Sequence, residues 1–360
     1  TSRRQRQMCI RDRSTALYLV TTATQTKRKS RLIIAVILII SGLFCSEAHN
    51  AWFLAGTVFI VLTWVIANPS VQWKQCISRV LYYAFTFIIA FAGYMVIQKV
   101  VGTNGYVGEY FHWQDDTPLN LIKNIFSWIW TMLTNEGLPG AVYLLVGLFV
   151  FCGFLVVYVL SQNVSRACMT LLLSVCLFLT PFSLCFISGS RMPYRTLEAL
   201  LILEAGVWFL IINFINRKSV GHYVLLLVAS CILWKQCVWM NRIFYGADLN
   251  ARLDVEMGYS IGEEIEKVAG TKNVDKPVVF VGKCQHSSPS IYKIDAVGQS
   301  IFYRPKSCYK VYYLRYLGFD FMQADTNQIE KAEIYSTNME VWPLEGAVQE
   351  FEDIIVVRLN

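Results

Sequence analysis

The sequence predicts a polytopic α-helical membrane protein with a small C-terminal α/β domain outside the lipid. Three observations predict it. Of 360 residues, 55% are hydrophobic and only 16% charged, where a soluble domain carries about a quarter charged. The apolar residues gather in long runs between Arg31 and Met240. From Asn241 to Asn360, charge and polarity return to globular levels. The same composition excludes collagenous, disordered and disulfide-stapled small-domain classes.

The first thirteen residues stand apart. Arg3 to Arg13 read RRQRQMCIRDR, which back-translates in frame to a transposase-type sequencing adapter. The competing readings are a basic nucleic-acid arm and the n-region of a signal peptide. Ser14–Thr24 supplies neither a clear apolar h-region nor a cleavage site. Residues 1–13 are therefore read as an artefact, with the natural N-terminus expected upstream. Without them the formal charge falls from +7 to +3, and no nucleic-acid partner is expected.

Residues 14–240 read as a transmembrane bundle with seven segments able to cross a bilayer: about 31–45, 51–67, 80–101, 138–160, 168–187, 196–215 and 222–240. The first two fall short of the ~20 residues a perpendicular helix needs, which leaves a re-entrant or thinned-membrane pair open. Asn68 and Pro69 close the second, since proline cannot continue a helix. Leu17–Ala23 reads as the tail of an earlier helix.

Charge sets an expected orientation. Lys27, Arg28, Lys29 and Arg31 precede the first segment, Lys74 and Arg79 follow the second, Arg166 follows the fourth, and Arg217 and Lys218 follow the sixth. These alternate loops are cytoplasmic by the positive-inside rule. The opposite loops are acidic or neutral, with Glu47, Glu109, Asp115, Asp116 and Glu136 against Lys123. Seven spans then put residues 241–360 outside, and their 13 Lys+Arg against 17 Asp+Glu fit that side.

One outer loop breaks the rule. Ser188–Arg195 (SGSRMPYR) carries Arg191 and Arg195 within an apolar hairpin. One reading is a salt bridge from Arg195 to Glu198, its i,i+3 neighbour on a helix face. The other is an anion site at the membrane surface, where arginine's planar fork suits a phosphate. Both stand at this point. The loop before it holds Leu119–Leu133 (LNLIKNIFSWIWTML), whose Leu121, Ile122, Ile125, Trp128, Ile129 and Met132 share one side while Asn120, Lys123, Asn124 and Ser127 lie mostly on the other. That pattern predicts an amphipathic helix lying in the headgroup layer. The competing reading is a short eighth span, which Lys123, Asn124 and Asn135 disfavour and which would place the acidic tail inside.

Residues 241–360 predict a small α/β domain. Asp254–Ala269 is expected to be helical, with Glu263, Glu264 and Glu266 on its wet side. Pro277–Gly282 (PVVFVG) and Ile354–Leu359 (IIVVRL) read as buried strands, Val311–Leu317 as helix and Ala332–Tyr335 as a short strand. No spaced glycines follow a strand, so nucleotide binding is not expected.

Little acid–base, redox or metal chemistry is on offer. Eight of the eleven cysteines lie in or beside spans, where cysteine is usually a small core residue. Cys284 and Cys308 fall outside and are able to pair. No spacing suggests a metal site, and no cofactor is expected. His112, His222 and His286 are scattered and read as surface or interface histidines. Asp115 and Asp116 precede Pro118; a solvated turn or helix cap competes with a role as base. Glu204 sits mid-span in LILEAGVW, where an acid is a functional candidate or a partner for a neighbouring helix. Lys99 and Lys235 lie near span ends and are expected to snorkel.

Several stretches carry a resemblance. They are Met192-Pro193-Tyr194-Arg195-Thr196-Leu197; the run Tyr245, Asp248, Glu256, Ile261-Gly262 and Ile265; Gly298-Gln299-Ser300-Ile301-Phe302-Tyr303; Met339-Glu340-Val341-Trp342-Pro343-Leu344-Glu345-Gly346; and Ile354–Leu359. In these the chain resembles bacterial membrane glucosyltransferases of the serotype-converting, O-antigen type II family, within the polyprenyl-phosphate-dependent, GT-C-like class. The resemblance covers about residues 14–360. It implies an enzyme of the bacterial cytoplasmic membrane, working in contact with membrane lipid. A glucosyl or other hexosyl group would pass from a polyprenyl-phosphate-linked donor to a cell-surface glycan acceptor at the outer face. Arg191 and Arg195 would neutralise the leaving phosphate, and a carboxylate would deprotonate the acceptor hydroxyl. Such families place an essential carboxylate in the first outer loop, which here falls upstream of Ser14. The chain as given is therefore expected to be inactive, with Asp115 and Asp116 as stand-in candidates. A transporter or lipid-linked-saccharide flippase would show internal repeats or paired broken helices, and the sequence displays neither. A non-enzymatic assembly protein is the remaining alternative.

Overall fold

A computed structural model describes residues 14–24, 26, 28–45, 49–101, 112–114, 116–134, 141–192, 196–215, 219–272, 274–286 and 299–360. The adapter-like residues 1–13 lie outside the described residues, as do Asp115, Glu136, Arg195, Arg217 and Lys218. The chain divides into two compact units between Trp234 and Lys235.

The first unit is all helical. It runs α1 (residues 14–24), α2 (Lys29–Cys45), α3 (His49–Ala67), α4 (Trp73–Val101), α5 (Pro118–Thr134), α6 (Ala141–Leu160), α7 (Val164–Leu179), α8 (Ser183–Ser188), α9 (Leu200–Phe214) and the start of α10 (Val220–Ala269). Among the described residues five helical stretches are long and apolar enough to cross a membrane: His49–Ala67, Trp73–Val101, Tyr143–Leu160, Val164–Ser188 and Val220–Ala269. The chain is thus a mostly helical protein with several potential spans. The expected segments at 31–45 and 196–215 form helices of 17 and 15 residues, short of a full crossing.

α3 is the centre of the bundle and packs on α4, α7 and α9, while α2 packs on α4 and α6 on α5, α7 and α9. The core closes on Leu62, Tyr83, Phe182, Leu203 and Ile211, all buried. Tyr83 also reaches back to α1, its hydroxyl 2.7 Å from Thr21 Oγ1. The segment expected as one span over 168–187 falls within the apolar stretch Val164–Ser188, long enough to cross, with one 3-10 turn inside it. Pro181 opens a 3-10 turn, Thr180–Phe182, that separates α7 from α8. Proline supplies no N–H for the ladder and its ring clashes with the carbonyl four residues back.

Two cations expected in cytoplasmic loops are spent on the C-terminal end of α3. Arg166 is buried, and its Nη2 donates to the carbonyls of Val65 (3.2 Å) and Ile66 (2.9 Å). The Arg79 guanidinium lies over the Trp64 ring at 4.3 Å. Cations suit a helix C-terminus, where unpaired carbonyls carry the negative end of the dipole.

The second unit is a three-stranded sheet with helices on both faces. Its strands are β1 (Val278–Val281), β2 (Val348–Glu350) and β3 (Ile355–Arg358), in the order β1-β3-β2. β1 and β3 run parallel with Val278 opposite Ile355, and β2 joins β3 antiparallel. Alternate side chains serve opposite cores. Val278, Phe280, Ile355 and Val357 pack with Met257, Ile261 and Ile265 of α10 and Val311 and Leu314 of α11 (Ser307–Tyr316). Val279, Ile354 and Val356 pack with Ala332 of α12 (Thr326–Tyr335) and Met339.

Three expectations are corrected here, and one strand is added. Ala332–Tyr335 is the last turn of α12, not a strand. Asp325 caps that helix, accepting from Gln328 N–H, while the Gln328 side chain accepts from Asp325 N–H; such a box stabilises a helix start by about 1 kcal/mol and overrides a four-residue apolar cue. Val348–Glu350 is a third strand, a three-residue edge without an apolar run to announce it. Cys284 and Cys308 are both free thiols. Of the span cysteines only Cys76 and Cys185 are buried, so a core role holds for those two alone among the described residues.

Candidate functional site

In the helical unit, the segment before α5 is pinned to the end of α8 that leads into the arginine loop. His112 N–H donates to the Ser188 carbonyl at 2.8 Å. The Trp113 indole Nε1 donates to the carbonyls of Phe186 (3.1 Å) and Ile187 (2.9 Å). Phe126 of α5 meets Phe186 with ring centres 5.7 Å apart. Three contacts thus hold the start of α5 beside Ser188. The chain then turns at Gly189, with φ of 70°, a left-handed conformation natural to glycine.

Arg191 follows, exposed between two anchors, the buried Ser188 and Met192. The Ser188 hydroxyl donates toward the Cys185 carbonyl and lies 3.2 Å from Ser190 Oγ. Arg191 therefore projects from a braced loop. Arg195 and its pairing with Glu198 fall outside the described residues.

α5 buries Leu121, Ile125, Ile129, Met132 and Leu133, and exposes Asn120, Lys123, Asn124 and Ser127. The expected amphipathic stripe is present, but narrower, since Ile122 is exposed and Trp128 only half-buried. Asp116 stands two residues before Pro118, the first residue of this helix. Its carboxylate accepts from Thr117 N–H at 2.6 Å and Asn120 Nδ2 at 3.1 Å, and the Thr117 bond chiefly holds its pKa below the usual carboxylate range. A carboxylate so engaged serves the helix start; Asp115 lies outside the described residues. Glu204 is half-buried in α9. His222 Nδ1 lies 3.2 Å from the Ile212 carbonyl, an interface role as expected.

The second unit holds a cluster that sequence reading missed. Asp254, buried on α10, accepts from the Ser300 hydroxyl, from Ile301 N–H at 2.9 Å and from His286 Nε2 at 2.8 Å. His286, read from sequence as a surface or interface histidine, is instead tied to a buried acid. Ser300 also accepts from Phe302 N–H, and Cys284 N–H donates to the Phe302 carbonyl. Burial, then the charge of Asp254, pushes the Cys284 thiol up. The order is serine–aspartate–histidine with the acid central, so no base is aimed at a nucleophile, and the cluster ties 284–286 and 300–302 to α10. Among the described residues no group of three or more His, Cys, Asp or Glu is placed to hold a metal.

The C-terminal stretches behind the family resemblance are mostly packing residues. Ile261 and Ile265 are core, Ser300 and Ile301 complete the Asp254 cluster, and Phe302 is fully buried. Gly262 lets Phe319 approach: a Cβ there would meet the ring at 2.3 Å. Asp248 is exposed and pairs with Arg252 at 2.9 Å. No family model, curated protein or solved structure matches the chain.

Proposed function

We propose that the chain is part of a membrane glycosyltransferase that moves a hexosyl group, glucosyl in the resembled family, from a polyprenyl-phosphate carrier to a cell-surface glycan at the outer face of the bacterial cytoplasmic membrane. The supporting observation is the junction of His112 and Trp113 with Phe186–Ser188. It sets an amphipathic helix, suited to the headgroup layer, beside a braced loop that presents Arg191. A lipid-linked sugar phosphate needs that pairing: its prenyl chain stays in lipid while phosphate and sugar face water. Arg191 would take the phosphate charge with a planar pair of donors, and Arg195 is proposed as its companion. Asp116, engaged by Thr117 and Asn120, is a poor base.

A transporter or flippase is favoured by one observation, the 3-10 turn at Pro181 within Val164–Ser188, since interrupted helices line substrate paths in such proteins. Among the described residues that turn has no counterpart in a second repeat.

The test uses the product of the uninterrupted gene in membrane vesicles supplied with polyprenyl-phosphate glucose and acceptor glycan. Transfer by the wild type, reduced by about two orders of magnitude in Arg191→Ala and Arg195→Ala, is expected from the loss of a charge-stabilising donor. Transfer unchanged in both variants overturns the phosphate role. Movement of the donor across the bilayer without sugar transfer overturns the enzyme reading.

A further inference from the structure

The second unit is acidic overall, yet four cationic residues, Lys283, Arg304, Lys306 and Lys310, lie in the segments just past the carboxyl end of β1 and around the start of α11. Lys310 is fully buried on the inner face of α11. Its ammonium donates to the carbonyls of Arg304 (2.8 Å) and Gly282 (3.2 Å), which brings residues 282–283, 304 and 310 to one place. Lys283 lies close enough for its charge to oppose protonation of Lys310. Lys283 Nζ sits 5.8 Å from the Tyr303 ring centre, and the Arg304 guanidinium 5.5 Å from that of Tyr309. Lys306 stands at the N-cap of α11 with no side-chain cap, and the first turn holds no acid.

Physically this arrangement is unfavourable by itself. Like charges repel, a buried ammonium loses hydration, and cations at a helix N-terminus oppose the dipole. Among the described residues, none of Lys283, Arg304, Lys306 and Lys310 forms a salt bridge with a carboxylate. The site also lies past the carboxyl end of a parallel strand, where open α/β sheets place their ligands.

We propose that the exposed face formed by Lys283, Arg304 and Lys306, above the buried Lys310, binds a phosphate group, carried either by a small soluble phosphate or by an anionic lipid headgroup. Lys283 and Lys306 supply point charges and Arg304 a planar fork. Lys310 supplies a fixed charge from beneath, held by its two carbonyls. Exposed Tyr303 and Tyr309 border the site with rings able to pack on the organic part of the ligand. The proposal uses no residue of the glycosyltransferase reading, and its readout requires no turnover.

The test is amine acetylation of the full chain in uncharged detergent, read by mass spectrometry at Lys283 and Lys306, with Lys272 and Lys331 as remote references. Inorganic phosphate is titrated in one arm. In the other the chain sits in phosphatidylcholine nanodiscs with or without phosphatidylglycerol. Near saturation, acetylation of both lysines should slow about fivefold, with the references unchanged. Protection by inorganic phosphate identifies a soluble phosphate; protection only by phosphatidylglycerol identifies a headgroup. In the K283Q/R304Q variant protection at Lys306 should vanish. If that variant fails to fold, the single K306Q variant, altered at an exposed position, should weaken protection at Lys283. No protection in either arm, or protection unchanged in a folded variant, overturns the proposal.

Discussion

The indole of Trp113 covers Gly189 so closely that a Cβ at Gly189 would lie 3.1 Å from three of its ring atoms. The tryptophan needs the glycine for approach, and the glycine needs its left-handed backbone to turn toward Arg191. Gly189→Ala should therefore cost about 1–2 kcal/mol from positive φ alone, before the indole is displaced. Trp113→Phe should cost about 1 kcal/mol by losing the hydrogen bond to the Phe186 and Ile187 carbonyls. Thermal unfolding of the purified chain in detergent checks both. Equal stability of Gly189→Ala and wild type would show that the loop is not braced in this way.

Arg166 and the end of α3 give a second case. Arg166→Lys replaces a guanidinium reaching two carbonyls with a shorter, compact ammonium, and the change should cost about 2–3 kcal/mol. Arg166→Met should cost at least as much, because it leaves the Val65 and Ile66 carbonyls without a donor. Denaturant titration of the two variants checks the order, and a stability loss confined to Arg166→Met would mean that any cation serves.

Asp254 accepts from residues far along the chain, and removing it leaves Ser300, Ile301 N–H and His286 unsatisfied together. Asp254→Ala should destabilise the second unit by about 3 kcal/mol or more, while Asp254→Asn, which keeps an acceptor, should recover part of that. Hydrogen exchange at Ile301 and Phe302 reads the effect locally. Unchanged protection there would refute the clasp.

Lys310 makes stability depend on pH in a defined direction. Burial, then the charge of Lys283, lowers it from its ordinary 10.5 to about 8. Between these values the unfolded chain holds the proton that the folded chain has lost, so stability rises with pH across that window. Below pH 8 both states are protonated and the full penalty applies, about 3 kcal/mol at 1.36 kcal/mol per unit. Unfolding of the wild type followed from pH 7.5 to 10.5 should show the rise, and Lys310→Met should flatten it. A wild-type profile equally flat would mean that Lys310 titrates normally.

Gly262 and Phe319 test the core. Gly262→Ala puts a methyl group into the ring and should cost about 1–3 kcal/mol by overpacking. Adding Phe319→Leu should return part of that loss in unfolding experiments; strictly additive losses would deny the contact.

Much of the fold was legible locally. The length of each apolar run set where helices lie, and PVVFVG and IIVVRL announced two strands buried on both faces, as parallel neighbours are. The polar side of α5 was readable because helical periodicity writes it into the residues themselves. Around the arginine loop, sequence singled out Arg191 and the amphipathic helix but not Trp113, whose role depends on carbonyls 73 and 74 positions away. Lys310 left one faint sign: it shares a helix face with Val311 and Leu314, an odd place for a lysine. Arg166 left none, because a cation after a span looks the same whether it faces water or caps another helix.

The sequence by itself thus determined composition, the main apolar helices, amphipathic faces and the approximate limits of the acidic C-terminal region, since those follow from residue order over a few turns. Tertiary structure alone decided that Trp113 meets carbonyls 73 and 74 residues away, that Asp254 gathers His286 and Ser300 from 32 and 46 residues away, and that Lys310 lies buried against the Gly282 and Arg304 carbonyls. The physical reason is common to all three. Hydrogen bonds and charges act over a few ångströms of space, and only folding decides which residues come within that reach.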